Sequence, residues 1–261
     1  MLSKLLKRDL KKNMRWMWIL FVGTIVLAAV TRGAKELGEN LAFFKVIHII
    51  FEGAFYGLAV NLIIQPFLRN FLNFYKSFYS DESYLTHTLP VTKNQLINSK
   101  YLTAIIEICA GFLTLIISLL ILFAGPGFMA ALKLLVSTAV SGKFSIVLIL
   151  ILFVILVIIE FLMFISIINF SIVVAFKSKD RRILKAFLIA TGCAFASLAV
   201  LTVCMFAVLA INGIELISPT LVIEADAMYS VFISAIVVYS AVTGLFYFLA
   251  KREFNKGVNV D

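Results

Sequence analysis

The chain has 261 residues, of which 62% are hydrophobic and 14% are charged, and its formal net charge is +9. Soluble domains are about 45–50% apolar and about 25% charged, so this composition excludes an ordinary soluble protein and indicates a membrane protein. The positive charge requires no nucleic-acid partner, because the anionic inner leaflet of a membrane also attracts basic residues.

Residues 1–15 are the first predicted element. Leucines at positions 2, 5, 6 and 10 recur at helical spacing, and basic residues occupy much of the rest. We predict an amphipathic helix that lies on the inner membrane surface, with a disordered basic leader as the alternative. The long charged region and the late start of the apolar run are not typical of a cleaved signal peptide.

Six apolar windows follow, each close to the length that a helix needs to cross a membrane. They are Trp16–Thr31, Val46–Leu68, Leu102–Ala124, Ser145–Phe176, Ala186–Ile211 and Tyr229–Ala250. The fourth would be about 48 Å long as a helix, so we expect it to tilt or to project from the bilayer. No soluble domain fits between the windows. We therefore predict an all-α membrane protein with six transmembrane helices in a single domain, residues 1–261.

The connections between these windows differ sharply in basic residues. The N-terminus, the 69–100 segment, the 177–185 loop and the C-terminal tail hold 18 of the 23 lysines and arginines. The alternate connections hold the other five, which are Arg32, Lys35, Lys45, Lys133 and Lys143. Because cytoplasmic loops are enriched in basic residues, this distribution predicts that both termini are cytoplasmic.

The second window combines a glycine pair, a possible ion pair and a proline. Gly53 and Gly57 have the GxxxG spacing of helix contacts, although that spacing is common by chance. His48 and Glu52 are four residues apart and could pair on one helix face. Pro66 frees a backbone carbonyl, so we expect a kink near the inner surface.

The long polar stretch of the chain covers residues 75–100. Asp81 can cap a short helix that begins at Glu82 and ends at Pro90. Thr92 can cap a second helix, Lys93 to Lys100, that runs directly into the third span. One side of the first helix would present Tyr84, Leu85, Thr88 and Leu89. Exposed aromatic and aliphatic side chains on a polar platform favour docking of another protein; the alternative is an interfacial loop that dips into the headgroups.

The third span has one small and weakly polar face. Its members are Thr103, Glu107, Gly111, Thr114 and Ser118, separated by three or four residues. Such a face lets helices approach closely, so it should contact protein or a cavity and not lipid. A packing seam and a conduit both fit this pattern.

Three glutamates lie inside apolar spans, where an ionisable group costs about 2.5–3.5 kcal/mol to insert. They are Glu52, Glu107 and Glu160, and Tyr56 shares a face with the first of them. Each glutamate could lock helices together, line a substrate path or relay protons. We retain Glu52, Tyr56, Glu107 and Glu160 as candidate substrate-path residues.

No residue pattern supports catalysis by the chain itself. The three cysteines lie in apolar spans, where cysteine behaves as a small hydrophobic residue, and the two histidines have no metal-ligand spacing. No GxxxxGK[ST] phosphate loop occurs. We therefore expect no metal, no cofactor and no ATP site in this chain. An intramembrane protease is a remote alternative, because it would need paired glutamates and histidines on facing helices.

Two stretches carry a family resemblance. The stretch Ser80-Asp-Glu-Ser-Tyr-Leu-Thr-His-Thr-Leu-Pro-Val-Thr-Lys-Asn-Gln-Leu-Ile-Asn-Ser-Lys100 resembles the DEGYLTxTLPVSxxQLLxSK stretch of bacterial ATP-binding-cassette permeases of the type-2 exporter group. Ser83 stands where glycine is frequent and Thr92 where serine is frequent. The tail Phe246–Asp261, a final span followed by basic residues and an Asn-x-acid close, resembles the ending of the same group.

The resemblance implies a multi-pass subunit of the bacterial plasma membrane. Two copies would form a homodimer among membrane lipids, and each would rest on a separate cytoplasmic ATPase that carries ATP and Mg²⁺. Residues 1–15 would be the elbow helix, and the segment around 81–92 the coupling helix that docks on the ATPase. The 177–185 loop, with Lys179, Arg181 and Arg182, would be a second contact. Residues 212–228 would be extracellular re-entrant helices.

The implied activity is ATP-driven export of a hydrophobic or amphipathic molecule. Apolar span faces and scattered acids suit an amphipathic peptide, such as a cytolytic toxin or an antimicrobial peptide. A non-transporting immunity or sensor scaffold that docks on the same ATPase is the alternative.

Overall fold

The chain is described here by a computed structural model. It describes residues 2–38, 42–79, 91–125, 145–178, 180–211 and 225–256, together with residues 128, 130, 133 and 134. The long helices are α1 (Leu2–Gly38), α2 (Ala42–Tyr79), α3 (Lys93–Phe123), α4 (Ser145–Ala175), α5 (Arg182–Ile211) and α6 (Ala225–Asn255). No strand occurs in the described ranges.

All six helices are long and apolar enough to cross a membrane. Each contains one of the predicted windows to within one residue at the ends, so the prediction of an all-helical protein with six candidate spans is confirmed. The helices contain 30 to 38 residues. At 1.5 Å per residue they exceed the hydrocarbon core of about 30 Å, so their ends extend beyond it.

The prediction of a separate amphipathic helix over residues 1–15 is not what the structure shows. These residues are helical, but from Leu2 they form the first part of α1 without a break. One face of α1 is buried along its whole length, through Leu5, Asp9, Asn13, Met17, Phe21, Thr24, Ala28, Thr31, Ala34 and Gly38. Residues 2–15 continue the helix because the buried face of α1 extends through them. In this part of the helix the face includes the polar residues Asp9 and Asn13.

The chain divides into two compact units, and the division falls inside α2. Unit 1 comprises Met1–Asn73 and Pro90–Lys133, and so contains α1, most of α2 and α3. Unit 2 comprises Phe74–Leu89 and Leu134–Asp261, and so contains the last turns of α2 together with α4, α5 and α6. The single domain over residues 1–261 stays a prediction.

In unit 1, α1 and α3 pack side by side and run in the same direction. Lys100 near the start of α3 contacts Asp9 near the start of α1, and the carbonyl of Ile121 near the end of α3 accepts a hydrogen bond of 3.4 Å from Arg32. Between these points the apolar core is formed by two clusters of α1, α2 and α3 side chains, which include Met17, Phe21, Leu62, Ala28, Phe55, Ala59 and Leu122.

The small and polar face of α3 lies in this interior, as predicted. Thr103, Glu107, Gly111, Thr114 and Ser118 are all buried. The three hydroxyl groups donate to carbonyls four residues earlier in α3 at 2.7–2.8 Å, so they are satisfied within the helix and not across it. A Cβ on Gly111 would lie 3.4 Å from the carbonyl oxygen of Leu62, which places the α2 backbone directly against this glycine.

The GxxxG pair of α2 does not make a helix contact within the described residues. A Cβ on Gly53 or Gly57 would meet nothing within 4 Å, and both glycines are exposed. The helix runs past Pro66, which is buried, and ends at Tyr79. The kink predicted at Pro66 stays a prediction.

In unit 2, α4 packs against α5 and α6. The core joins Met163 and Ile167 of α4 to Ala235, Tyr239 and Phe246 of α6. Of the predicted re-entrant segment 212–228, residues 212–224 lie outside the described residues. Residues 225–228 are the first turn of α6, so the segment between the last two helices is shorter than predicted.

We expect Gly111→Leu to destabilise the protein and Gly57→Leu to leave its stability unchanged. A side chain at Gly111 would press on the α2 backbone, and overpacking of this kind costs about 1–3 kcal/mol. Thermal unfolding of the monomer in detergent would measure both effects. Equal destabilisation by the two variants would show that the glycine pair of α2 packs inside the subunit after all.

Candidate functional site

The structure describes the residues on both sides of the predicted docking segment. Residues 80–90 lie outside the described residues, and they include the proposed docking positions Asp81, Glu82, Tyr84, Leu85, Thr88, Leu89 and Pro90. The chain leaves the described part of α2 at Tyr79, which belongs to unit 2. It returns at Val91 and Thr92, which belong to unit 1. The two flanks therefore show how the ends of the segment are held.

The unit 1 flank begins with a capped helix. Thr92 has extended backbone and occupies the N-cap position of α3. Its hydroxyl oxygen accepts a hydrogen bond from the backbone N–H of Gln95 at 3.4 Å, and the Gln95 side chain accepts one from the N–H of Thr92 at 3.4 Å. This reciprocal capping box fixes the start of the helix. The predictions of Thr92 as a cap and of a helix that continues into the third span are confirmed.

Two turns into α3, a buried ion pair ties this helix to α1. Lys100 Nζ lies 3.0 Å from Asp9 Oδ2, and both side chains are more than nine-tenths buried. The Ser99 hydroxyl donates to the carbonyl of Leu96 at 2.8 Å and lies 3.3 Å from the same Asp9 oxygen. Arg8, which is exposed, lies 3.5 Å from the other carboxylate oxygen. Asp9 is therefore surrounded by donors, which is the condition for burying a charged pair.

A second set of hydrogen bonds ties α2 to α1 next to this ion pair. Arg69 donates to the backbone carbonyl of Asn13 at 2.7 Å and to the side-chain oxygen of Gln65 at 3.3 Å. Asn73 donates to the Asn13 side chain at 2.7 Å. We refer to Asp9, Asn13, Arg69, Asn73, Ser99 and Lys100 as the polar cluster. It joins all three helices of unit 1 at the end from which residues 80–90 extend.

Glu107 lies one step deeper in the same interior. It is 1% exposed and interacts electrostatically with Asn13, Arg69 and Lys100. Neither of its oxygens makes a hydrogen bond of ordinary geometry to a described residue. Its surroundings are those of the polar cluster, so the structure places Glu107 at the edge of a helix-joining network.

The other predicted path residues belong to α2 of unit 1 and to α4 of unit 2. Glu52 lies 3.5 Å from His48 Nε2, as predicted, and accepts a hydrogen bond of 3.2 Å from the Tyr56 hydroxyl. Tyr56 is 46% exposed, so this pair lies on the outer surface of α2. Glu160 belongs to unit 2, where it interacts electrostatically with Tyr239. The substrate path proposed for these four residues stays a prediction.

The unit 2 flank is an aromatic cluster, which we define as Phe74, Tyr75, Phe78, Tyr79, Phe176 and Phe254. Phe78 contacts Phe74 and Phe254 with ring centroids 4.8 and 4.7 Å apart, and all three are fully buried. Tyr75 and Tyr79 lie against Phe176 at 5.4 and 4.5 Å. The last two turns of α2 are thus held by the 176–178 turn and by the end of α6.

Charged residues surround the aromatic cluster. Glu253 of α6 forms ion pairs with Lys177 of the turn and with Lys256. Arg182 lies over the Phe176 ring at 5.8 Å and donates to the carbonyl of Ser178 at 3.0 Å. The Lys177–Glu253 ion pair thus links the turn after α4 to the end of α6, and Arg182 links the same turn to the start of α5.

The predicted second contact lies in the connection between α4 and α5. Arg181 and Arg182 are at the start of α5, and Lys179 is outside the described residues. Arg181 has a φ of 47°, in the left-handed region that few residues other than glycine adopt. Arg182 contributes to the packing described above. The side chain of Arg181, in contrast, is exposed.

Sequence reasoning missed the polar cluster, although one signal was present. Asp9 is the first acid of the chain and the next is Glu36. It shares a helix face with Leu5, Asn13 and Met17 at spacings of four residues, so two polar groups interrupt an apolar stripe. A charge on an apolar face calls for a buried partner, but nothing local identifies Lys100 as that partner.

No family model, curated protein or solved structure matches this chain. Within the described ranges, no group of three or more His, Cys, Asp or Glu side chains could hold a metal ion. The described residues on either side of 80–90 are held by the aromatic cluster at Tyr79 and by the helix cap at Thr92.

We expect Lys100→Met and Asp9→Leu each to lower the free energy of unfolding by about 3–5 kcal/mol, because each leaves an uncompensated buried charge. The double variant should be more stable than either single variant, since it removes both charges. Glu36→Gln breaks the exposed Arg32–Glu36 pair of 3.0 Å but keeps the Arg32 contact with Ile121, and it should cost less than about 1 kcal/mol.

Denaturant titration in mixed micelles would measure the four free energies of unfolding. Additive losses in the double variant would show that Asp9 and Lys100 do not act as a pair.

Proposed function

We propose that this chain is the membrane subunit of an ATP-driven exporter, with a separate ATPase docked on residues 80–90. The observation that carries the proposal is the resemblance of Ser80–Lys100 to the docking stretch of type-2 exporter permeases, in a chain with six membrane-spanning candidates. The fixed flanks of that stretch support it. They are the aromatic cluster on one side and the capped start of α3 on the other.

Rigid flanks matter because a docking segment transmits movement only if its ends do not yield. At the Tyr79 end, several aromatic rings would have to separate before the helix could unwind. At the Thr92 end, the capping box and the buried Asp9–Lys100 pair resist the same change. A push delivered to residues 80–90 would therefore be passed on to the helices at either end.

The distribution of basic residues supports the orientation that docking requires. We propose that both termini and residues 80–90 face the bacterial cytoplasm and that residues 212–224 face the outside, in agreement with the positive-inside rule. ATP and Mg²⁺ would bind the partner ATPase. Lys179, Arg181 and Arg182 would supply a second contact, and Arg181 is the more exposed of the two described arginines.

The proposed exporter also includes a second copy of the chain, and its proposed substrate is an amphipathic peptide. The exposed glycines of α2 and their apolar neighbours leave a face that another subunit could cover. The described helices present mainly apolar surface, which suits a peptide with one apolar face. We propose a cytolytic or antimicrobial peptide as the cargo.

We expect Leu85→Asp combined with Leu89→Asp to abolish co-purification of the ATPase while the protein still inserts in the membrane. The two acids would replace the apolar contacts of the dock. Asn94→Asp is the control, because it adds an acid at an exposed position of the first turn of α3 and leaves the leucines in place. Unchanged ATPase recovery with the leucine variants would place the dock elsewhere.

Reconstitution tests transport itself. In liposomes that contain this chain and its ATPase, we expect an amphipathic peptide to stimulate ATP hydrolysis and to accumulate on the side opposite the ATPase. Deleting the gene should reduce both export of such peptides and resistance to them. ATP hydrolysis without peptide movement would instead support a sensor or immunity scaffold.

A further inference from the structure

A basic cavity lies at the end of unit 1 opposite the polar cluster. Its volume is about 420 Å³, and it is lined by Lys35 and Gly38 at the end of α1 and by Lys45 and His48 near the start of α2. This volume is within the range of small-ligand sites. The residues that join the two helices, 39–41, lie outside the described residues.

Close backbone approach brings the two lysines to one cavity. A Cβ on Gly38 would lie 3.3 Å from the backbone nitrogen of Lys45 and 3.4 Å from the carbonyl carbon of Phe44. At these distances, a side chain at position 38 would require the backbone at Lys45 to shift by a few tenths of an ångström. The glycine therefore allows lysines from two helices to line the same space.

The positive charge of this cavity is not neutralised by the described residues. Lys35 and Lys45 are both exposed, and neither forms an ion pair with a described carboxylate. Two described acids nearby have other partners: Glu36 pairs with Arg32 at 3.0 Å and Glu52 with His48 at 3.5 Å. The Nδ1 atom of His48 is buried and has no hydrogen-bond partner in the described ranges. Among the described residues, the cavity thus combines two lysines that have no carboxylate partner with a ring nitrogen that has no hydrogen-bond partner.

The position of the cavity along the helices corresponds to the headgroup level. Lys45 immediately precedes the second apolar window, and Lys35 lies one turn beyond the end of the first. Lysines at such positions reach the membrane–water interface. Phosphate groups of lipids lie at this level, and basic pockets between membrane helices are known to hold anionic headgroups.

We propose that this cavity binds the phosphate group of an anionic phospholipid. Lys35 and Lys45 would contact the phosphate oxygens, and His48 would donate or accept one further hydrogen bond. The site would hold a lipid in the leaflet opposite the N-terminus of α1. The inference is independent of transport, because it rests only on the cavity and its charges.

Lipid binding to the purified full-length chain tests the proposal. Native mass spectrometry would compare phosphatidylglycerol with phosphatidylcholine of the same acyl chains. Each lysine near a headgroup contributes about 1 kcal/mol, which is about fivefold in affinity. We therefore expect Lys35→Gln combined with Lys45→Gln to reduce the preference for phosphatidylglycerol about 25-fold. Lys133→Gln, another exposed lysine that does not line the cavity, should retain it.

A second pair of variants separates the cavity from surface charge alone. Gly38→Ala should displace the backbone of Lys45 and weaken the preference although both lysines remain, whereas Gly33→Ala meets nothing within 4 Å and should not. Retention of the preference in Gly38→Ala would overturn a built site. So would equal losses in the lysine pair and in Lys133→Gln, or the absence of any preference in the unmodified chain.

Competition with inorganic phosphate distinguishes a site for a lipid phosphate from a site for a soluble phosphate. If the cavity serves a lipid, a large excess of inorganic phosphate should leave phosphatidylglycerol bound, because the acyl chains add apolar contacts that free phosphate lacks. Displacement of the lipid by inorganic phosphate would overturn the lipid assignment and give the site to a soluble phosphate. Melting temperatures of all variants would show that each remains folded.

Discussion

The structure of unit 1 depends on a charged pair that is buried between two parallel helices. Asp9 and Lys100 meet at 3.0 Å with little exposure, and the side chains around them belong to all three helices of the unit. Burial of either charge alone would be costly, so each residue fixes the position of the other. The same constraint explains why residues 2–15 continue α1: Asp9 and Asn13 have to remain on the face that meets α3 and α2.

The second helix, α2, belongs partly to unit 1, which contains this ion pair, and partly to unit 2. Up to Asn73 its side chains belong to unit 1, and from Phe74 they belong to unit 2, where buried aromatic rings hold them. The chain then passes through residues 80–90 and returns to unit 1 at the capped start of α3. Residues 80–90 thus link the two units along the chain, and the proposed docking draws its support from the contacts that hold Tyr79 and Thr92 at either end.

The charged residues at the opposite end of unit 1 are arranged differently. The polar cluster consists of cations and acceptors that satisfy one another in the interior. At the Gly38 end, the lysines are exposed and have no described carboxylate to pair with. The first arrangement fixes helices, and the second leaves positive charge for a ligand. The positive-inside rule concerns only the number of basic residues on each side and does not distinguish these two uses.

The sequence by itself determined the features that depend on local pattern: six spans, the Thr92 cap, the buried face of α3 and the His48–Glu52 pair. Apolar length, capping chemistry and helical spacing are all expressed within a few residues. Only the tertiary structure decided that α1 is continuous, that Gly111 and not Gly57 contacts a helix, and that Asp9 pairs with Lys100. The physical reason is separation along the chain. Asp9 and its α3 partners are about 90 residues apart, and a buried charge indicates that a partner is needed without indicating which one.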